Sequence, residues 1–336
     1  MPLLQAEHLR VDLRTHRGTA TAVRGVGFAL ERGDTLGLIG ESGCGKSMTA
    51  LALMGLQPDN ARVHGSLRLD GQELLGLPDR DWRRLRGNRI AMIFQEPMTA
   101  LNPVHRVGAQ IAEPLRLHRG LSARAARERA LALMARVGIP EPAQRIDSFP
   151  HQFSGGQRQR IMIAMALACE PDVLIADEPT TALDVTVQQQ ILALIRELVA
   201  ERGMALVLIS HDLGLIAQNV HRMLVMYGGA VVESGPAADI FHRPAHPYTR
   251  GLLAARPRLD QRLHAHRSDR LPTIAGTVPD LFALPPGCPF AGRCPFTEDA
   301  CHTEVPPDVA LGGTHHFWCR RAEVVLKTPD SIAASA

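Results

Sequence analysis

The stretch Gly40-Glu-Ser-Gly-Cys-Gly-Lys-Ser47 fits the spacing G-x-x-x-x-G-K-[ST] of a loop that wraps phosphate groups. The run before it, Thr35 to Ile39, reads as a short buried strand. Met48 to Gly55 reads as the start of a helix that Gly55 ends. Gly40, Gly43 and Gly45 permit backbone conformations that a side chain blocks, so successive N–H groups can turn inward around phosphate oxygens. The helix N-terminus adds partial positive charge at the same point. Lys46 would reach β- and γ-phosphates, and the Ser47 hydroxyl would hold Mg²⁺. Of 37 basic residues only Lys46 and Lys327 are lysines. A compact ammonium fits among phosphates where a planar guanidinium does not, so Lys46 reads as a chemical choice.

Length and composition set the bounds. A chain of 336 residues has room for two domains, one of them large. Its net charge of +3 carries no strong signal for nucleic acid or a polybasic membrane surface. The longest purely apolar run, Ile161 to Cys169, is about half of what a bilayer span needs. The N-terminus lacks the pattern of a secretory leader. The expectation is a cytosolic chain, or one attached to a membrane through partners. Cys44 and Cys169 stand alone, whereas Cys288, Cys294, Cys301 and Cys319 cluster near the C-terminus, which in a reducing compartment points to metal.

In chain order, residues 3–34 read as antiparallel strands with polar turns. Gly65 to Leu69 is a further strand leading into Asp70-Gly71, a hairpin turn signal. Arg80 to Arg89 reads as a solvated helical face. Ile90 to Phe94 is a buried strand ending at Gln95, whose amide could coordinate Mg²⁺ and orient an attacking water. Residues 96–150, punctuated by prolines, read as a helical insert, with Ala123 to Val137 a good helix. Ser154 is a natural N-cap, and Gly155, Gly156 and Gln157 open a second helix start suited to an anion. Two such starts in one chain suggest ATP held between two molecules. The buried strand Val173–Ala176 ends in Asp177-Glu178. Asp177 would hold Mg²⁺ through water, and Glu178 would act as general base on the nucleophilic water. Asp184 precedes a helix from about Val185 to Ala200. A further buried strand, Ala205 to Ile209, ends near His211, placed to contact the γ-phosphate and the water. Met223 to Glu233 is a hairpin around Gly228-Gly229.

Taken together, Gly40–Ser47, Gln95, Phe153–Gln157, Asp177-Glu178, Asp184 and His211 resemble, in order, the Walker A, Q-loop, signature, Walker B, D-loop and H-loop elements of ABC transporter ATP-binding subunits. The resemblance implies an α/β P-loop NTPase core with an antiparallel β subdomain and a helical subdomain at about 96–170. It also implies that Glu41, Ser42 and Cys44 join the phosphate cradle, and that Ser154–Gln157 and Asp184 contribute to the nucleotide site. The chain departs from the family at Phe153, where Leu is usual, and in lacking an adenine-stacking aromatic near Arg14–Gly18. His16 by its imidazole face or Arg17 by its guanidinium plane could take that place.

Gln95 to Pro103, His246-Pro-Tyr-Thr249 and the cysteine-containing tail are similar to the dipeptide/oligopeptide importer ATPases. The implied layout is a nucleotide-binding domain at 1–255 and a small C-terminal domain at 256–336. The implied function is ATP hydrolysis powering peptide import at the cytoplasmic face of the bacterial inner membrane. Its implied partners are a second ATPase in a heterodimer, two transmembrane permeases and a periplasmic or lipid-anchored binding protein. Near relatives import nickel or glutathione by the same machinery. A soluble ABC ATPase acting on ribosomes or nucleic acid is the competing class, against which the near-neutral charge argues. The spacing of Cys288, Cys294, Cys301 and Cys319 matches neither paired zinc-ribbon nor ferredoxin patterns, and four thiolates can hold Zn²⁺ or an iron–sulfur cluster. The resemblance favours [4Fe–4S].

Overall fold

In the computed structural model, residues 1–181, 183–255 and 273–328 are described. Two sheets form the frame. The first is antiparallel, with strand order β2–β1–β4–β5, from β1 (Leu4–Thr15), β2 (Gly18–Leu30), β4 (Ala61–Leu69) and β5 (Gln72–Glu73). Asp70 and Gly71 both take positive φ (51° and 79°), the geometry of the two-residue hairpin that the sequence foretold.

The second sheet centres on β3 (Thr35–Ile39), with β6 (Ile90–Ile93), β7 (Val173–Asp177) and β8 (Ala205–Ser210) on one side and β9 (Arg222–Tyr227) and β10 (Ala230–Pro236) on the other. β3, β6, β7, β8 and β9 run parallel. Every residue of β3, β6, β7 and β8 is buried, which is why each reads as an unbroken apolar run rather than an alternating one. Their C-terminal ends gather at one edge of the sheet, where ligands bind in open parallel sheets.

Helix α1 (Lys46–Leu53) leaves the phosphate loop. Its far end is held by Arg86, just past α2 (Asp79–Leu85), which donates to the carbonyls of Met54 (2.8 Å) and Gly55 (2.5 Å). The basic run at 80–89 is therefore only partly a solvated face. Arg86 turns inward because the last helical carbonyls need donors.

Between β6 and β7 stand α3 (Pro97–Ala100), α4 (Val107–Arg119), α5 (Ala123–Arg136), α6 (Pro142–Arg145) and α7 (Gly155–Ala166), the expected helical insert. Ile111, Ala126, Ala130, Met134 and Ile161 bury their apolar faces in one cluster shared with the sheet. α8 (Val185–Arg202) joins β7 to β8. After α9 (Leu213–Ala217), α10 (Ala237–His242) and α11 (Pro247–Ala254), the tail rejoins the sheet. Strands β11 (Asp308–Gly312) and β12 (His315–Trp318) extend it beyond β10, with Glu233 opposite Phe317. Phe290 of the tail enters the main core against both Tyr227 and Tyr248.

Candidate active site

The loop after β3 depends on glycine at two positions. Gly45 has φ 99°, and a Cβ there would stand 2.5 Å from the Ala22 carbonyl oxygen. Gly40 has φ 155°, and its Cβ would run into the Met226 carbonyl. Lys46 is 5% exposed, and its Nζ donates to the carbonyls of Gly40 (2.8 Å) and Glu41 (3.1 Å). The ammonium is thus held inside the curl of the loop whose N–H groups would face phosphate oxygens.

Asp177, at the end of β7, is 4% exposed and hydrogen-bonds the Ser47 side chain. Its Oδ1 is buried without a hydrogen-bond partner. Burial pushes its pKa up. The Ser47 hydrogen bond pulls it back, the neighbouring Glu178 charge raises it again, and Lys46 lowers it. A buried, unpartnered carboxylate oxygen beside a hydroxyl is the donor set of a hard cation, so these residues fit Mg²⁺. Among the described residues no group of three or more His, Cys, Asp and Glu side chains is arranged to hold a metal ion. Mg²⁺ at such a site takes one or two carboxylates, with phosphates and water completing the shell, so no larger cluster is needed.

Glu178 follows with φ 45°, uncommon for a residue with a side chain, and its N–H donates to the Ile209 carbonyl of β8 at 3.0 Å. The turn aims the carboxylate at three partners. Gln95 Nε2 (3.2 Å), Thr181 Oγ1 (2.9 Å) and His211 Nδ1 (3.3 Å) all meet Oε2. Gln95 and His211 come together as the sequence reading expects, but Gln95 bonds Glu178 rather than the Ser47–Asp177 pair. Thr181 escaped that reading, because a threonine in a polar loop carries no spacing signal.

Ser154 caps α7, accepting from the Gln157 N–H (3.4 Å) while Gln157 Oε1 accepts from the Ser154 N–H (3.2 Å). Ser154 and Gly155 are exposed, while a Cβ on Gly156 would lie 2.9 Å from Val187 of α8. The preceding Phe153 is buried under the Arg145 guanidinium, 4.2 Å from its ring centroid. Asp184 caps α8, accepting from the Val187 N–H at 2.9 Å.

In the β1–β2 turn, His16 is exposed, and Arg17 pairs with Asp280 (2.6 Å) and lies 4.4 Å over the ring of Phe282. The aromatic that the turn lacks is thus brought beside it from the tail. Nothing local in the sequence links residues so far apart. Leu284 packs at Gly228, and Gly229 in turn donates its N–H to the Cys44 carbonyl.

Cys288, Cys294, Cys301 and Cys319 line one cavity with His246 and Arg321. Burial pushes Cys288 up to about 11 and Cys319 up to about 12, and the neighbouring thiols add to the effect. His246 is itself held neutral, its pKa lowered to about 3 by burial, and its Nδ1 accepts from the Tyr248 N–H (3.1 Å) to cap α11.

Residues 23–181 match the ABC transporter family, and residues 232–301 match the family of the oligopeptide/dipeptide transporter C-terminal region. The chain is 53% identical over 313 residues to a putative peptide import ATP-binding protein of Brucella abortus, covering 93% of each. It is 48% identical over 335 residues to the dipeptide transport ATP-binding protein DppD of Bacillus subtilis, covering 98% of each. It is 50% identical over 304 residues to the oligopeptide transport ATP-binding protein OppD of Salmonella typhimurium, covering 90% of this chain and 89% of that one. Among solved structures, the dimeric ATP-binding cassette MJ0796 bound to ADP and Pi superimposes with a TM-score of 0.62 at 26% identity, over 70% of this chain and 98% of that one. With the phosphate loop, the Ser47–Asp177 pair and the Glu178 cluster in one place, the chain is an ATPase of the ABC transporter family, and it belongs to the peptide-import ATP-binding subunits.

Proposed function

We propose that this subunit hydrolyses ATP to power import of di- or oligopeptides through a membrane transporter. The observation that carries the cargo is the C-terminal region at 232–301, present on a chain alike from end to end to a dipeptide transport subunit. Gly40 to Gly45 and Lys46 bind the phosphates, and Ser47 and Asp177 hold Mg²⁺, which when bound offsets phosphate charge. Glu178 takes the proton of the attacking water, Gln95 and His211 orient that water, and Thr181 keeps the carboxylate aimed. Arg17, backed by Phe282, contacts the base, with His16 at the rim. Catalysis is positioning and charge stabilisation.

The exposed Ser154–Gly155 start of α7, with Gln157 and Asp184 behind it, faces the γ-phosphate held by a second ATP-binding subunit, so the working unit is a pair. Two transmembrane permeases and a periplasmic or lipid-anchored binding protein complete it. No helix among the described residues is long and apolar enough to cross a membrane. By its likeness to the transport ATP-binding subunits, attachment is peripheral, through the permeases, at the cytoplasmic face of the inner membrane. ATP-dependent uptake of a labelled dipeptide into vesicles carrying the assembled transporter tests this. Uptake of nickel or glutathione with none of peptide would replace the cargo.

The four cysteines around one cavity favour a second assignment, a [4Fe–4S] cluster. Among the described residues no group of three or more His, Cys, Asp and Glu side chains is arranged to hold a metal ion, so the assignment rests on the four thiols lining one cavity. Anaerobically purified protein should carry about four irons and four sulfides per chain, the complement of such a cluster. Stoichiometric zinc would overturn the assignment.

A further inference from the structure

Glu41 sits in the phosphate loop, where a carboxylate repels the triphosphate that the loop is built to hold. Its charge is met by Arg293 of the tail, whose side chain is 6% exposed. Arg293 Nη1 donates to Glu41 Oε2 (2.6 Å) and Nη2 to Oε1 (3.3 Å), a fork-on-fork pair. The remaining donors are also used: Nη1 on the Tyr227 hydroxyl (3.3 Å), Nη2 on the Ile274 carbonyl (3.2 Å) and Nε on the Ala275 carbonyl (2.8 Å). With all of its donors engaged, the guanidinium is fixed in place rather than swinging in solvent. From the other side, the Tyr248 hydroxyl accepts the Glu41 N–H at 2.7 Å. Tyr248 packs edge-on to Tyr227 (4.7 Å between centroids) and against Phe290 (5.4 Å).

We infer that Arg293 is a positioning residue for ATP: by neutralising Glu41 and drawing it aside, the C-terminal segment sets the affinity of the phosphate loop. Arg293 touches neither nucleotide nor water in this role and acts through Glu41. The residue next to it, Cys294, lines the cysteine cavity, so the tail that carries the thiols also carries the counter-charge. The inference rests on residues 40–47 being the ATP site.

The test is a double-mutant cycle on the full chain, reading the Kd for Mg²⁺-ATP from the fluorescence of a labelled ATP analogue. Arg293→Met leaves a lone carboxylate in the loop and should weaken binding at least tenfold, on the order expected for an uncompensated charge near phosphate. Arg293→Lys keeps the charge, disturbs the fold less, and should lose clearly less. In a Glu41→Gln background the charge is gone, so adding Arg293→Met should change Kd by less than about twofold. In the assembled ATPase the Arg293→Met defect should fall on KM and spare kcat. Equal losses from Arg293→Met in the native and the Glu41→Gln backgrounds, or a defect confined to kcat, would make the residue merely structural and sink the inference. Failure of the unmutated chain to bind the analogue would take the ATP site down with it, whereas binding unaffected by Arg293→Met refutes this inference alone.

Discussion

Replacing Glu178 by glutamine isolates the proton-transfer step from every other duty of the site. The amide has the size of the carboxylate, and its oxygen can still accept from Thr181 and Gln95, the 2.9 Å and 3.2 Å contacts of the native Oε2. The backbone turn at φ 45° and its bond to Ile209 are untouched. Removing the charge beside Asp177 relieves one of the influences that raise that residue's pKa. What disappears is the ability to accept a proton, worth about 10²–10⁴-fold in rate. That range corresponds to about 3–5 kcal/mol in the barrier. The assay is steady-state phosphate release by the assembled transporter, run beside equilibrium binding of Mg²⁺-ATP to the same preparation. Glu178→Gln should bind ATP within about twofold of the unmutated protein, as an isosteric change at a group that does not anchor phosphate allows, and release phosphate at least about a hundredfold more slowly. Turnover within tenfold of normal would show that the water loses its proton elsewhere. A loss of binding to match the loss of rate would show that the carboxylate anchors the nucleotide.

Gly45→Ala should cost about 2–4 kcal/mol in denaturant unfolding, because its Cβ meets the Ala22 carbonyl at a left-handed φ, and should abolish ATP binding. Ser154→Ala removes the cap of α7 for about 1 kcal/mol of stability, yet should eliminate ATP-driven closure of the subunit pair, read by cross-linking or small-angle scattering. Asp172 bridges Arg32 (2.6 Å) and Arg89. Burial raises its pKa, but the hydrogen bonds of both arginines outweigh that and leave it below the usual carboxylate value. Its stabilisation is therefore present above about pH 3.8 and lost as pH falls below it. Asp172→Asn should cost about 2 kcal/mol at neutral pH and flatten the acid limb of the stability curve.

The parts of the site that lie along one strand–loop–helix unit were legible in the sequence. Thr35–Ile39, Val173–Asp177 and Ala205–Ser210 announce themselves as apolar runs because they are buried on both faces, and the chemical residues stand at their ends. Ser154 and its reciprocal bond with Gln157 follow from local capping rules. What the sequence hid is held by contacts between distant segments. Arg293 on Glu41, Phe282 beneath Arg17, and β12 against β10 have no periodicity to betray them, and arginine is too abundant in this chain for any one to stand out. The motif His246–Thr249 stands out in the sequence by likeness alone, and the structure supplies its reason: His246 caps α11 and Tyr248 braces the phosphate loop.

The pairing of β12 with β10 also bears on how the protein can be dissected. Were the chain cut after α11, the β10 edge that pairs with β12 at Glu233 and Ser234 would face water along an open margin, next to a hollow formerly filled by Phe317 and Val325. Such a margin invites a strand from another molecule. A trimmed catalytic core is thus a poor reference for the intact subunit, since it would tend to clump for reasons unrelated to its turnover.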